Sequence, residues 1–227
     1  QPTVRKACRE AVRQYVAEEL GGLENKTARF QYLFRRLVRA VEQILDNVIE
    51  ELRVSDFAPI DYELDFSRSG DLPPVQCEDG DVSVSLSGKV DRVAGDIKNG
   101  RLYLRVMDYK SGKKSFSLSD IWYGLNMQLI IYLYALQQEG LGRYRARLTA
   151  ELNEIVPAGV LYVPVRDELP DAARDTDEEG LRILRDKALR RSGLLSDDMS
   201  LLEAMEHGLE GDGRFIPVSI KTRKGED

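Results

Sequence analysis

The chain has 227 residues, 42% of them hydrophobic, and 33 Lys and Arg against 39 Asp and Glu give a net charge of −6. It is long enough to bury one sizeable core, and no run approaches the ~18 consecutive apolar residues of a membrane span. Two distant cysteines, Cys8 and Cys77, and a lone histidine, His207, argue against a disulfide scaffold, a self-contained zinc site and a Ser-His or Cys-His catalytic pair.

No signal peptide opens the chain, and a reduced, cytoplasmic setting without membrane contact is expected. The first residue is Gln1 rather than Met, which suggests a piece of a longer protein. Residues 2–20 read as a helix ended by Gly21-Gly22. A longer amphipathic helix follows from Thr27 to Arg53, with Phe30, Leu33, Phe34, Leu37, Val41, Ile44, Leu45, Val48 and Leu52 at helical spacing. Ile60–Phe66 alternates as a strand. A loop with Pro73-Pro74 and Asp79-Gly80 leads into a strand over Val82–Val93. Ser119 or Asp120 is a suitable N-cap for a mostly apolar, central helix over Ile121–Gln138. Val160–Val165 reads as a buried strand, Leu181–Arg191 and Met199–Glu206 as helices, and Phe215–Ile220 as a final strand. Arg143, Arg145 and Arg147 read as a solvated face.

The most informative stretch is Gly88–Lys110. Asn99-Gly100 separates two alternating runs, the strongest short-range signal of a tight β-hairpin. With those two residues as the loop, Lys98 faces Arg101, opposed residues sum to 199, and Asp91 lies opposite Asp108. Like charges so placed, with Cβ atoms ~4.5–5.5 Å apart, repel, and a hard cation such as Mg²⁺ relieves the repulsion. Lys110, two residues beyond Asp108, projects from the same strand face. The overall acidity does not exclude a basic groove, because residues 81–120 hold eight Lys and Arg against five Asp.

Asp91, then Asp108-x-Lys110, then a helix carrying Gln128-x-x-x-Tyr132, resembles the PD-(D/E)XK nucleases of the RecB type. The strings GKVDRVAGD, LRVMDYKSGKKSFSLSDIWYGLNMQLIIYLYAL and GLLSDDMSLLEAME are similar to one branch, the C-terminal nuclease domain of the B subunits (AddB) of AddAB ATP-dependent helicase–nucleases. The resemblance implies an α/β restriction-endonuclease-like core, a mixed sheet flanked by helices, over residues 57–227, with residues 1–56 as its helical N-terminal part, a helical hairpin.

It further implies Mg²⁺-dependent (Mn²⁺ as an alternative) deoxyribonuclease action at DNA ends and on single-stranded DNA, with an AddA-type helicase–nuclease subunit as partner, in double-strand-break processing for recombinational repair. Asp91, Asp108 and the Tyr109 carbonyl would hold the metal, Lys110 would position or activate water and stabilise charge on the transition state, and Gln128 and Tyr132 would face the site and contact DNA backbone or orient Lys110. Lys113 and Lys114 are candidate phosphate contacts. Trp122 and Tyr123 are open between base stacking and core packing, and Glu63 between site and solvent. Relatives also carry an upstream histidine on a helix and an iron–sulfur cluster, for which this chain lacks the matching histidine and cysteines. The other readings are a catalytically incomplete scaffold that binds DNA or a partner subunit, and a stand-alone or CRISPR-associated RecB-like exonuclease. There is no G-x-x-x-x-G-K-[ST] phosphate loop for ATP.

Overall fold

A computed structural model describes residues 2–112, 116–165, 173 and 175–221. Helix α1 spans Pro2–Glu18 and α2 spans Ala28–Arg53, with Gly21 and Gly22 at positive φ in the turn between them. The Thr27 side chain accepts from the Phe30 N–H and caps α2, meeting one of the orphan donors of the first turn. The buried residues of α2 are Ala40, Ile44, Asn47 and Glu51, the i, i+4, i+7, i+11 spacing of one helical face. The expected apolar stripe is thus only partly covered, and Phe30, Leu33 and Leu37 are exposed.

The strands are β1 (Ala58–Phe66), β2 (Val75–Asp79), β3 (Val82–Leu86), β4 (Gly88–Lys98), β5 (Arg101–Lys110), β6 (Glu154–Pro164) and β7 (Ser192–Leu195). Five form a mixed sheet in the order β1-β4-β5-β6-β7, and β2 and β3 pair separately. Asn99 and Gly100, both at positive φ, close the β4–β5 hairpin as a two-residue turn requires. The seven pairs from Lys98–Arg101 to Arg92–Met107 keep the expected register. β5 and β6 run parallel, so the chain must cross over between them. It does so through α3 (Leu118–Trp122) and α4 (Gln128–Leu148).

Alternation sorts the sheet into two cores. Leu102, Leu104 and Val106 pack with Val93, Val160 and the α4 residues Leu129, Leu133 and Leu136. On the opposite face Ala94, Met107, Leu161 and Val163 pack with Phe57, Ile216 and the α6 (Met199–Met205) residues Leu201, Leu202 and Met205. Helix α5 (Glu178–Leu189) precedes edge strand β7. Two glycines let that edge close: a Cβ on Gly193 would stand 2.0 Å from the Val160 carbonyl oxygen, and one on Gly159 would stand 2.4 Å from Leu195 Cδ2.

Glu51 is fully buried on this second face. Its Oε1 accepts from Arg105 Nη2 at 2.8 Å and its Oε2 from Arg191 Nη2 at 2.7 Å, while Arg92 Nη2 lies 4.0 Å away. Arg191 also bonds the Asn47 side chain. Burial pushes the Glu51 carboxyl up, but the three guanidiniums together reverse this and hold it below the usual carboxylate range. Burial likewise pushes Arg105 down, to about 10.

Several local expectations are corrected. The helix expected over Ile121–Gln138 is two helices, broken at residues 123–127, where Gly124 and Asn126 take positive φ; Ser117, not Ser119 or Asp120, caps the first. The loop before Val82 holds β2. Phe215–Ile220 forms no strand: Pro217 has no N–H to donate, and Arg190 takes the carbonyls of Ile216 and Val218. Of the three arginines of α4, Arg145 and Arg147 are exposed as expected while Arg143 is half-buried, and all three have partners: Arg143 with Asp61 and Asp71, Arg147 with Asp61, and Arg145 with the Leu152 carbonyl.

Among the described residues Glu51 is the carboxylate that these guanidiniums share, and removing it leaves their buried charges uncompensated. Glu51→Ala is expected to lower the unfolding free energy in denaturant titration by about 3–5 kcal/mol. In the unsubstituted chain the Glu51 contribution is complete above the unfolded-state value of about 4.3 and is lost as pH falls through the depressed folded value. The variant should lack that acid dependence.

Candidate active site

Asp108 and Lys110 sit at the C-terminal end of β5 and, being two apart, face the same side, the side that carries Leu104 and Val106 into the α4 core. Asp108 is 3% exposed, and its Oδ2 lies 2.5 Å from Lys110 Nζ. Burial lowers the Lys110 pKa, but the bond to Asp108 and the charges of Asp108 and Asp91 outweigh it, so the ammonium is held above its usual range. Lys110 is therefore a cation at neutral pH.

Asp91 reaches the same place by a different route. The ladder of β4 and β5 stops at Arg92–Met107, one pair short of the expected Asp91–Asp108 opposition. There the Asp91 carboxylate takes over, with Oδ2 accepting from the Tyr109 N–H at 2.8 Å. Strict alternation also lapses, since Val90 and Val93 both enter the α4 core. On the neighbouring strand Glu63 takes a left-handed φ of 51° between Leu64, opposite Val90, and Asp61, opposite Val93. The N–H and C=O of an extended residue point to the same side, so the Tyr109 carbonyl faces the Asp91 strand beyond the last ladder pair. Glu63 itself is exposed and paired with Lys89 at 2.7 Å, which settles it as a solvent-facing residue.

Gln128 opens α4. Its exposed side chain donates from Nε2 to Tyr132 Oη at 2.7 Å. Tyr132 is buried edge-on against Phe66, ring centroids 5.2 Å apart. Both rings lie over Gly88, where a Cβ would stand 2.8 Å from each, three residues before Asp91. Since α4 returns the chain between two parallel strands, its N-terminus stands at the end of the sheet where β5 stops. The two halves of the candidate site thus share one end of the sheet, the end at which open α/β sheets bind ligands. Lys113 and Lys114 lie outside the described residues.

Two site neighbours escape sequence reasoning. Tyr162 is aligned with Asp108 across the β5–β6 pairing, with Lys110 Nζ 5.9 Å from its ring centroid. Burial first, then the charge of Asp108, raises its phenol pKa. Arg92 reaches Tyr109 Oη at 3.4 Å from the far face of the sheet. Only the register of β6 and the depth of the arginine cluster reveal them.

Among the described residues no three His, Cys, Asp or Glu converge as a metal-binding group. Mg²⁺ needs less, since it is commonly held by one or two carboxylates together with water and substrate phosphates. Asp91, Asp108 and a backbone oxygen form a donor set of that kind. Cys8 on α1 and Cys77 on β2 stand on separate elements and do not make the four-thiolate set of an iron–sulfur cluster.

Comparison with known proteins agrees with this geometry. A family model described as the PD-(D/E)XK nuclease superfamily matches residues 1–211. The chain is 33% identical over 220 residues to the B subunit of the ATP-dependent helicase/deoxyribonuclease of Clostridium acetobutylicum, covering 94% of this chain and 18% of the relative. It is 36% identical over 221 residues to the protein of the same name from Ruminiclostridium cellulolyticum, covering 95% and 19%. The chain therefore spans less than a fifth of the length of these curated relatives.

A carboxylate held at a site for its chemistry generally lowers stability there. Metal-free Asp108→Asn is expected to melt at the same temperature as the unsubstituted chain or about 2–4 °C higher. Added Mg²⁺ or Mn²⁺ should raise the melting temperature of the unsubstituted chain and leave the variant unmoved. A metal-free variant that melts lower would mark the Asp108–Lys110 pair as structural.

Proposed function

The chain belongs to the PD-(D/E)XK nuclease superfamily, and on that premise we propose that it is the metal-dependent DNA exonuclease domain of a helicase–nuclease B subunit. The observation that carries this reading is the meeting of buried Asp108, cationic Lys110 and Asp91 where the hairpin ladder ends. The names of the relatives support a subunit of an ATP-dependent helicase/deoxyribonuclease; the wider assignment, an AddA-type helicase–nuclease partner, the cytoplasm and double-strand DNA ends destined for recombinational repair, extends that by the family resemblance alone. No helix among the described residues is long and apolar enough to cross a membrane.

Asp91, Asp108 and the Tyr109 carbonyl would hold Mg²⁺ or Mn²⁺, which when bound supplies Lewis acidity toward a phosphodiester oxygen and the attacking water. The chain's own groups do the rest. Asp91 is fixed by the Tyr109 N–H, so one carboxylate oxygen is committed and the other is left for coordination. Lys110, protonated and seated against the Tyr162 ring, stabilises negative charge as it builds on the phosphoryl oxygens. Tyr132 anchors Gln128, and the exposed amide of Gln128 has donor capacity left for the DNA backbone. Phosphate contacts of this kind carry no base sequence information.

The test is hydrolysis of single-stranded DNA by the purified chain with Mg²⁺. Lys110→Ala should slow cleavage by about 10²–10³-fold, and Asp91→Ala and Asp108→Ala should reduce it to background. If the unsubstituted chain shows no Mg²⁺-dependent cleavage and the Asp108 substitution changes nothing, the enzyme reading fails.

A further inference from the structure

Between the two halves of the candidate site the chain presents an aromatic surface that core packing does not explain. Trp122 is 85% exposed, Tyr123 79%, Leu118 62% and Leu125 58%. Leu118 and Trp122 are four apart on α3 and so share a face. Fully buried aromatics contribute most to a core, and here the chain's single Trp contributes almost nothing to one. The segment that carries them is well built. The Ser117 side chain accepts from the Asp120 N–H at 3.2 Å and caps α3, and the Leu125 N–H donates to the Asp120 carbonyl at 2.7 Å. The Asn126 amide donates to the Asp120 carboxylate at 2.9 Å. Gly124 and Asn126 supply the positive φ values that turn the chain sharply into α4. A stiff, hydrogen-bonded turn thus holds two large rings out in solvent.

Their place in the chain points to the occupant. The turn lies on the crossover from β5, which ends at Lys110, to α4, which begins at Gln128, and Trp122 stands six residues before Gln128. Resting on the nuclease reading above, we propose that Trp122 and Tyr123 form a stacking platform for unpaired bases of single-stranded DNA. The platform holds the strand while its backbone passes Gln128 and reaches Lys110. Base–aromatic stacking tolerates any sequence, because every base has a π-face. That property matches a site whose other contacts are to phosphate. Leu118 and Leu125 frame the rings with apolar surface.

The single tryptophan makes the test direct. Metal-free protein with EDTA is titrated with a short oligothymidylate and with an abasic oligonucleotide of equal length. Trp122 fluorescence should be quenched by the first and not by the second. By anisotropy of labelled oligothymidylate, Trp122→Ala should weaken binding about tenfold, Tyr123→Ala should weaken it in the same direction, and Trp122→Phe should retain most of the affinity. Equal responses to both oligonucleotides, or unchanged affinity in Trp122→Ala, would overturn the platform and leave these rings as a protein-contact surface. Mg²⁺-dependent cleavage by the unsubstituted chain, measured alongside, separates that failure from failure of the nuclease reading: cleavage with no stacking response sinks only the platform, whereas absence of both cleavage and oligonucleotide binding sinks the two together.

Discussion

Glu51 carries one negative charge into a region that holds three guanidiniums, and the arrangement of the second face of the sheet depends on it. Its two oxygens reach Arg105 on β5 and Arg191 just before β7, with Arg92 on β4 close by. One carboxylate on α2 thereby ties the N-terminal helical pair to the middle and the edge of the sheet. An ion cluster of this kind adds little net stability compared with a well-packed apolar core, yet is costly to break, because the surviving charges stay buried. The rings of Phe57 over Arg105 and Phe215 over Arg191 cover the cluster and give the guanidiniums further favourable contact. The effect is to fix relative position: α2 cannot slide along the sheet without stranding charge.

That fixed position is transmitted to the other face. Arg92 follows Asp91 directly in sequence, and its guanidinium reaches the Tyr109 hydroxyl while the Tyr109 N–H holds Asp91. The strand end that carries Asp91 and Asp108 is therefore held from behind by the arginine cluster, and above by Tyr132, Phe66 and α4. Where the regular ladder ends, a carboxylate replaces a backbone acceptor. This leaves polar groups available at one end of the sheet without leaving the Tyr109 N–H unpaired. The resulting site is acidic in composition but cationic at Lys110, a combination suited to a divalent metal and a phosphodiester together.

Much of this was legible in the sequence, for identifiable reasons. Asn99-Gly100 could only be a tight turn, so the register of seven pairs followed from arithmetic; it failed at the eighth because Asp91 competes with the backbone for the Tyr109 N–H. The mixed sheet flanked by helices followed from the alternating and helical runs and from the family resemblance. The break at residues 123–127 was signalled by Gly124, but the apolar run around it read as continuous. Glu51 stood at a core-facing position, seven residues after Ile44, which marks a buried charge, but nothing in one chain identifies three partners so distant in sequence. Edge strand β7 is only four residues long, too short for alternation to reveal. The sequence left Trp122 open between base stacking and core packing, because the spacing of an aromatic at a helix end does not fix its exposure.

The meeting of Asp91 and Asp108 around a metal is open to direct observation by diffraction from crystals soaked in Mn²⁺, read at its anomalous signal. One ion held by the carboxylates of Asp91 and Asp108 is the expected result, and it should be lost in crystals of Asp108→Asn. Carboxylates that point apart with no ion between them, or an ion bound only elsewhere on the chain, would contradict it.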